Sequence, residues 1–121
     1  MMTEQNLRNE LEYNTHKLDE SLGDLKHICG RTAELKGFHE GYKTGNITDA
    51  MAKVALIMTE LGELVEAMRE NKGHQAEAEE LADVLIRCFD FAYLEGYNIN
   101  QAVLKKMATN ISRPHMHGKK A

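Results

Sequence analysis

ALIMTELGELVEAMRE, residues 55–70, holds two periodic patterns at once. Its Leu, Ala, Met and Glu content, with no proline, predicts a helix. On a wheel of about 100° per residue, Met51, Val54, Met58, Leu61, Val65 and Met68 form one apolar stripe within roughly 80° of arc. That stripe predicts the face turned to the core. Glu60 and Glu63 lie nearly opposite, sharing an arc of roughly 60° with Leu56 and Ala67. Ala55, Thr59, Glu66 and Glu70 make a separate face expected to stay in water. The helix is therefore expected to be buried on two sides, with two carboxylates on the second.

The rest of the chain supports an all-α fold. Its 121 residues suffice for one domain with a modest core, and they include one proline and no tryptophan. Residues 3 to about 36 are helical by composition, with Leu18, Leu22, Leu25 and Cys29 in phase, as one helix or two. KGFHEGYKTGNITD, residues 36–49, breaks any helix with three glycines and reads as a loop. Thr48 or Asp49 is the expected N-cap of the second helix, which runs to about Asn71. Gly73 is its expected stop signal. A third helix is predicted from about Gln75 to Glu95, closed by Gly96, and a fourth from about Asn100 to Ile111. The expected architecture is a four- to five-helix bundle forming a single domain over residues 1–121. Residues 1–17 are an extra helix or an oligomer contact, and residues 114–121 a basic tail.

Composition also excludes function classes. The formal charge of -4 provides no basic field for nucleic acid. The polar N-terminus does not read as a signal peptide, and no apolar run approaches the ~20 residues that span a bilayer. Cys29 and Cys88 match no zinc or redox spacing and are expected to be reduced, buried thiols. The expectation is a cytoplasmic protein without nucleic-acid or membrane partners.

Apolar residues cover well over half of the third helix, from Leu81 to Tyr93, which predicts a central, buried element. Its remaining strip carries Glu80, Asp83, Arg87 and Asp90. Buried carboxylates need compensation, from basic partners or from a metal. Arg87 lies four residues after Asp83 and three before Asp90, so an intrahelical ion-pair ladder accounts for part of this strip. Glutamates three apart are also the ordinary pattern of a solvated face. Two features favour metal. The pairs Glu60/Glu63 and Glu80/Asp83 occur on consecutive helices joined by a short turn, which makes the helices antiparallel neighbours. Both pairs lie at similar distances from that turn, so at ~1.5 Å per residue they reach a similar height. An all-oxygen cluster selects a hard cation, with Mg²⁺ first and Mn²⁺ its substitute. Mg²⁺ commonly bridges carboxylates to substrate phosphates, and the chain has no P-loop. Cations for the phosphates are then expected from Lys106, Asn110 and Arg113, on one face of the fourth helix.

The segments ELGE (residues 60–63), EELADVLI (residues 79–86) and KMATNISRP (residues 106–114) resemble the MazG-like all-α nucleoside triphosphate pyrophosphohydrolases. The similarity covers residues 30 to 119 and includes Ile86, Arg87, Asp90 and the segment from Arg113 to Lys120. It implies hydrolysis of a (deoxy)nucleoside triphosphate to the monophosphate and pyrophosphate, with Glu60, Glu63, Glu80 and Asp83 as metal ligands. Such an ion would acidify a water and neutralise charge at the attacked α-phosphorus. Glu63 and Glu79 are both candidates to take the proton. Lys106, Asn110 and Arg113 would clamp the phosphate tail, with Lys53 assisting. Phe38, His39 and Tyr42 would stack on the base or close their loop over the core. Arg87 and Asp90 would support the ligands from behind, Arg87 orienting Asp83.

A third helix apolar all round and a second buried on two sides need more cover than one such chain supplies. Self-association is therefore expected, as a dimer or a dimer of dimers. Two other readings remain: a phosphoribosyl-ATP pyrophosphatase, which shares the acidic pairs, and a non-catalytic helical interaction module with a Met-rich partner surface.

Overall fold

The computed structural model describes residues 1–114 and is all-α. Its helices are α1 (Glu4–Leu35), α2 (Ile47–Arg69), α3 (His74–Glu95) and α4 (Ile99–Ser112), with no strand among the described residues. The N-terminal region is one helix of 32 residues. Beyond Pro114, the expected basic tail lies outside the described residues. Among the described residues no helix is long and apolar enough to cross a membrane.

Local chemistry sets the helix ends. Asn46, not Thr48 or Asp49, caps α2: its side-chain oxygen accepts from Asp49 N at 3.0 Å. Asp49 falls in the first turn, where its carboxylate accepts from Lys43 N at 2.9 Å. At the other end, the first residue of positive φ after α2 is Asn71 (φ 54°), ahead of Gly73 (φ 94°). Lys72 N donates to Ala67 O at 3.0 Å and Asn71 N to Met68 O at 3.2 Å. Asn tolerates this conformation better than other side chains do, which frees Gly73 to begin α3 as its N-cap. Gly96 closes α3 as expected, at φ 68°.

The chain forms two compact units. One combines Met1–Asp24 with the segment from Asn98 onward; the other is Leu25–Tyr97. In the first, Asn100 Nδ2 donates to Asp19 O at 3.1 Å and Arg8 Nη2 to Ser112 Oγ at 2.6 Å, while Leu104 is buried.

In the second unit α2 packs along α3, and the face it buries differs from the one expected. From Ala50 on, the less exposed positions of α2 are Ala50, Lys53, Ile57, Glu60, Leu64 and Ala67, a three-to-four-residue repeat with Glu60 (8 % exposed) and Ala67 (3 %) buried. Met51, Val54, Met58, Leu61, Val65 and Met68 each lie one position later, about 100° round the helix. All six are exposed, Met58 at 66 %. On α3, Val84 and Ala92 are buried, but Leu81, Leu85, Ile86 and Cys88 are exposed. Nor is α3 buried all round, because the neighbours present cover only part of its circumference.

α1 meets α3 at Gly30, which is buried. A Cβ there would lie 2.1 Å from Tyr93 Cγ, at the root of the ring and not at a flexible tip. Gly30→Ala should therefore destabilise by about 1–3 kcal/mol through overpacking, against a helix-propensity gain of at most about 1 kcal/mol. Thermal melting checks this; a variant as stable as the wild type would show that Tyr93 shifts freely.

Candidate active site

The turn between α2 and α3 brings their acidic pairs together. Glu60, Glu63 and Glu80 each offer a carboxylate oxygen, and the three atoms lie within 4.8 Å of one another. The helical repeat explains this: Glu60 and Glu63 are one turn apart on α2, and Glu80 is at the matching height on α3. Asp83 is not in that trio; one turn on, it lines the adjoining cavity. Glu79 is exposed and accepts from Gln75 Nε2 at 3.1 Å.

Like charges are crowded here. The Glu63 carboxyl is pushed above the usual carboxylate range, first by the charge of Glu60 and a hydrogen bond with it, then by slight desolvation and by Glu80. Arg87 offsets part of this repulsion. Its Nε donates to Glu60 Oε1 at 2.6 Å, with the Glu60 side chain 11 % exposed and that of Arg87 42 %. Among the described residues Arg87 thus does not form the expected intrahelical ladder with Asp83 or Asp90. Its guanidinium reaches across to α2, where the more buried carboxylate gains most from a cation. Asp90 pairs instead with His39 Nε2, at 2.7 Å. All three donors of the trio are hard carboxylate oxygens whose mutual repulsion a cation would relieve, so the cluster fits Mg²⁺ or Mn²⁺.

A cavity of about 410 Å³ adjoins the cluster, and Glu60 belongs to both. Cys29, Thr32 and Ala33 form its α1 wall, while Lys53, Leu56 and Glu60 face it from α2. From α3 come Asp83, Ile86, Arg87 and Asp90, and Phe38 closes it from the loop. Each helix therefore supplies one stripe at three- to four-residue spacing.

The three loop residues behave differently. Phe38 faces the cavity. His39 is held by Asp90 and stacks on Tyr93, with ring centroids 6.0 Å apart. Tyr42 Oη donates to Glu95 Oε2 at 2.6 Å, and its phenol is pushed up by desolvation and then by that carboxylate. His39 and Tyr42 thus tie the loop to α3. Lys53 lines the cavity, but its ammonium donates to Phe38 O at 2.9 Å and lies 5.9 Å from the Tyr42 ring centroid. Lys106 and Asn110 are exposed on α4 and Arg113 caps it, all in the other compact unit.

Sequence reasoning did not find the α1 wall. Its signal was the phase of Leu18, Leu22, Leu25 and Cys29, which continues to Thr32 and Ala33. No curated protein and no solved structure matches the chain. Residues 49–117, more than half of the sequence and a span holding all four acidic positions from Glu60 to Asp83, match the family model described as MazG nucleotide pyrophosphohydrolase domain, and the chain belongs to that family.

Proposed function

We propose that the protein hydrolyses (deoxy)nucleoside triphosphates to monophosphate and pyrophosphate with Mg²⁺, for which Mn²⁺ substitutes. The observation that carries this is the sharing of Glu60 between a carboxylate trio and a largely apolar cavity. A site for phosphate-bound metal thereby adjoins a site of the size and polarity that small ligands occupy.

Glu60, Glu63 and Glu80 would hold the ion, with Asp83 as a further ligand from the cavity side. Bound there, it would supply charge neutralisation for the phosphates and a more acidic water. Arg87 pairs with Glu60 and orients its carboxylate. Of the two candidates to take the proton, Glu63 is favoured over Glu79, because it belongs to the trio whereas Glu79 is exposed and accepts from Gln75. Lys106, Asn110 and Arg113 are assigned to the phosphate tail on the strength of their common helical face.

The test is a screen of ribo- and deoxynucleoside triphosphates with Mg²⁺, read by phosphate release with and without added inorganic pyrophosphatase. Phosphate that appears only with pyrophosphatase is expected; no release from any triphosphate with either metal overturns the reading. Preference for phosphoribosyl-ATP would move the substrate to that class. A melting temperature indifferent to Mg²⁺, together with no turnover, would favour the interaction module.

Self-association is part of the same proposal. The exposed stripe Met51–Val54–Met58–Leu61–Val65–Met68 is a continuous apolar face of the kind that marks an interface. A second copy bringing the same face would cover it by two-fold symmetry. Met58→Glu should shift the protein to monomer in sedimentation velocity without lowering its helical signal. A wild type that is monomeric at micromolar concentration would remove this part.

A further inference from the structure

Two polar ends of the cavity differ in chemistry, and they lie two helical turns apart. Asp83 and Asp90 both line it, seven residues apart on α3, which is about 10 Å at 1.5 Å per residue. Glu60 and Lys53 have the same separation on α2, running in the opposite sense. One end thus joins the carboxylate trio; the other holds Asp90 and Lys53, with Cys29 near enough to Asp90 to feel its charge and Phe38 on Lys53, while Thr32, one turn on from Cys29, also lines the cavity. If the triphosphate lies at the metal end, as the proposed function requires, the base reaches the Asp90 end.

The hydrogen-bonding capacity of that end can be worked out atom by atom. Asp90 Oδ1 is held by His39 Nε2 at 2.7 Å, its side chain 14 % exposed, and Oδ2 has no hydrogen bond among the described residues. Thr32 Oγ1 donates its hydrogen to Ile28 O at 2.7 Å, which leaves that oxygen an acceptor towards the cavity. Burial, and then the charge of Asp90, raise the Cys29 thiol, so it stays protonated as a weak S–H donor. Lys53 gives one of its three ammonium hydrogens to the Phe38 carbonyl and lies 5.9 Å from the Tyr42 ring centroid, on the loop side. Apart from the Lys53 ammonium on the loop side, the end presents an anionic acceptor, a neutral acceptor and a weak donor.

We propose that the Asp90 end of the cavity reads the edge of the base and selects bases whose Watson–Crick edge sets an exocyclic amino group beside an acceptor ring nitrogen, that is, cytosine and adenine. The amino group gives its hydrogens to Asp90 Oδ2 and Thr32 Oγ1, and the ring nitrogen accepts from Cys29. Uracil, thymine and hypoxanthine would set a carbonyl oxygen against the carboxylate, leaving both unpaired in a confined site. Guanine's adjacent N1–H and amino donors suit a carboxylate with both oxygens open, whereas here His39 occupies one. Asp90 is thus a specificity residue and His39 its positioning residue.

The test compares kcat/KM for CTP with UTP and for ATP with ITP, pairs that differ at the amino/keto edge. The wild type should favour the amino member by roughly ten- to a hundredfold, as expected where the wrong ligand leaves a confined polar group unpaired. In Asp90→Asn the amide oxygen can still accept from His39 while its N–H₂ faces the cavity, so both ratios should fall to parity or below. Equal or reversed preference in the wild type, or ratios unchanged in a folded Asp90→Asn, overturns the inference while leaving pyrophosphohydrolysis standing. Should Asp90→Asn not fold, Cys29→Ala must narrow the ratios, and unchanged ratios overturn the assignment. If no triphosphate is hydrolysed, the proposed function fails on its own; thermal shift by CMP against UMP then decides the cavity's preference without turnover, and no CMP advantage overturns it.

Discussion

Glu63→Gln lowers turnover by at least about 100-fold, yet in EDTA at neutral pH the variant melts higher than the wild type. The loss is set from below by what even the outer partners of metal ligands contribute, about 10–100-fold. The gain follows from linkage. The folded-state pKa of Glu63 is raised by Glu60 and Glu80, so the folded protein binds more protons there than the unfolded chain. Stability from this group is therefore lost as pH rises from the ordinary carboxylate value through the raised one, and at neutral pH the native state carries the full repulsion. Glutamine keeps the shape and removes the charge. The difference in melting temperature between variant and wild type should close as pH falls back through that window, where both forms are uncharged. Saturating Mg²⁺ should stabilise the wild type more than the variant. Normal turnover in Glu63→Gln, or a Mg²⁺ shift equal to the wild type's, would remove Glu63 from the metal site.

The convergence of Glu60, Glu63 and Glu80 was legible in the sequence because it needs little beyond helical rise and a short antiparallel turn. Asp83 follows the same repeat but lies one turn further on, where the same stripe faces the cavity. The rotation of α2 was not legible. The buried stripe containing Ile57, Glu60, Leu64 and Ala67 and the exposed stripe containing Met58, Leu61, Val65 and Met68 differ by one residue. The second is the more uniformly apolar, so a wheel assigns it to the core. A wheel registers apolar area and is blind to whether that area meets α3 or lies open to another molecule. The partner of Arg87 was misread for a related reason. Asp83 and Asp90 are near it in sequence, but Glu60 is near it in space and more buried, which makes its desolvated carboxylate the stronger acceptor. The α1 wall depends on how closely α1 approaches α3. That approach rests on the missing Cβ of Gly30 beneath Tyr93, a tertiary contact between residues 63 positions apart that no local period encodes.

Arg87→Lys lowers turnover by about 10–100-fold at limiting Mg²⁺, and raising Mg²⁺ restores much of it. The pair with Glu60 is made through Nε at 2.6 Å, which fixes the plane of the guanidinium against a carboxylate that also faces Glu63 and Glu80. Lysine keeps the charge but has no planar fork to orient that carboxylate, so Glu60 would be held less rigidly for its ion. With Arg87 being 42 % exposed, the stability lost is modest, about 1–3 kcal/mol. Because the ion would bind more weakly, the variant should gain less in melting temperature than the wild type at the same Mg²⁺ concentration. A purely structural salt bridge behaves otherwise: the variant would be less stable, but its turnover per folded molecule would match the wild type at every Mg²⁺ concentration. Melting temperature and turnover measured across one Mg²⁺ titration separate the two cases, because orientation of a ligand changes the metal dependence of the rate and a loss of folded protein changes only its amplitude.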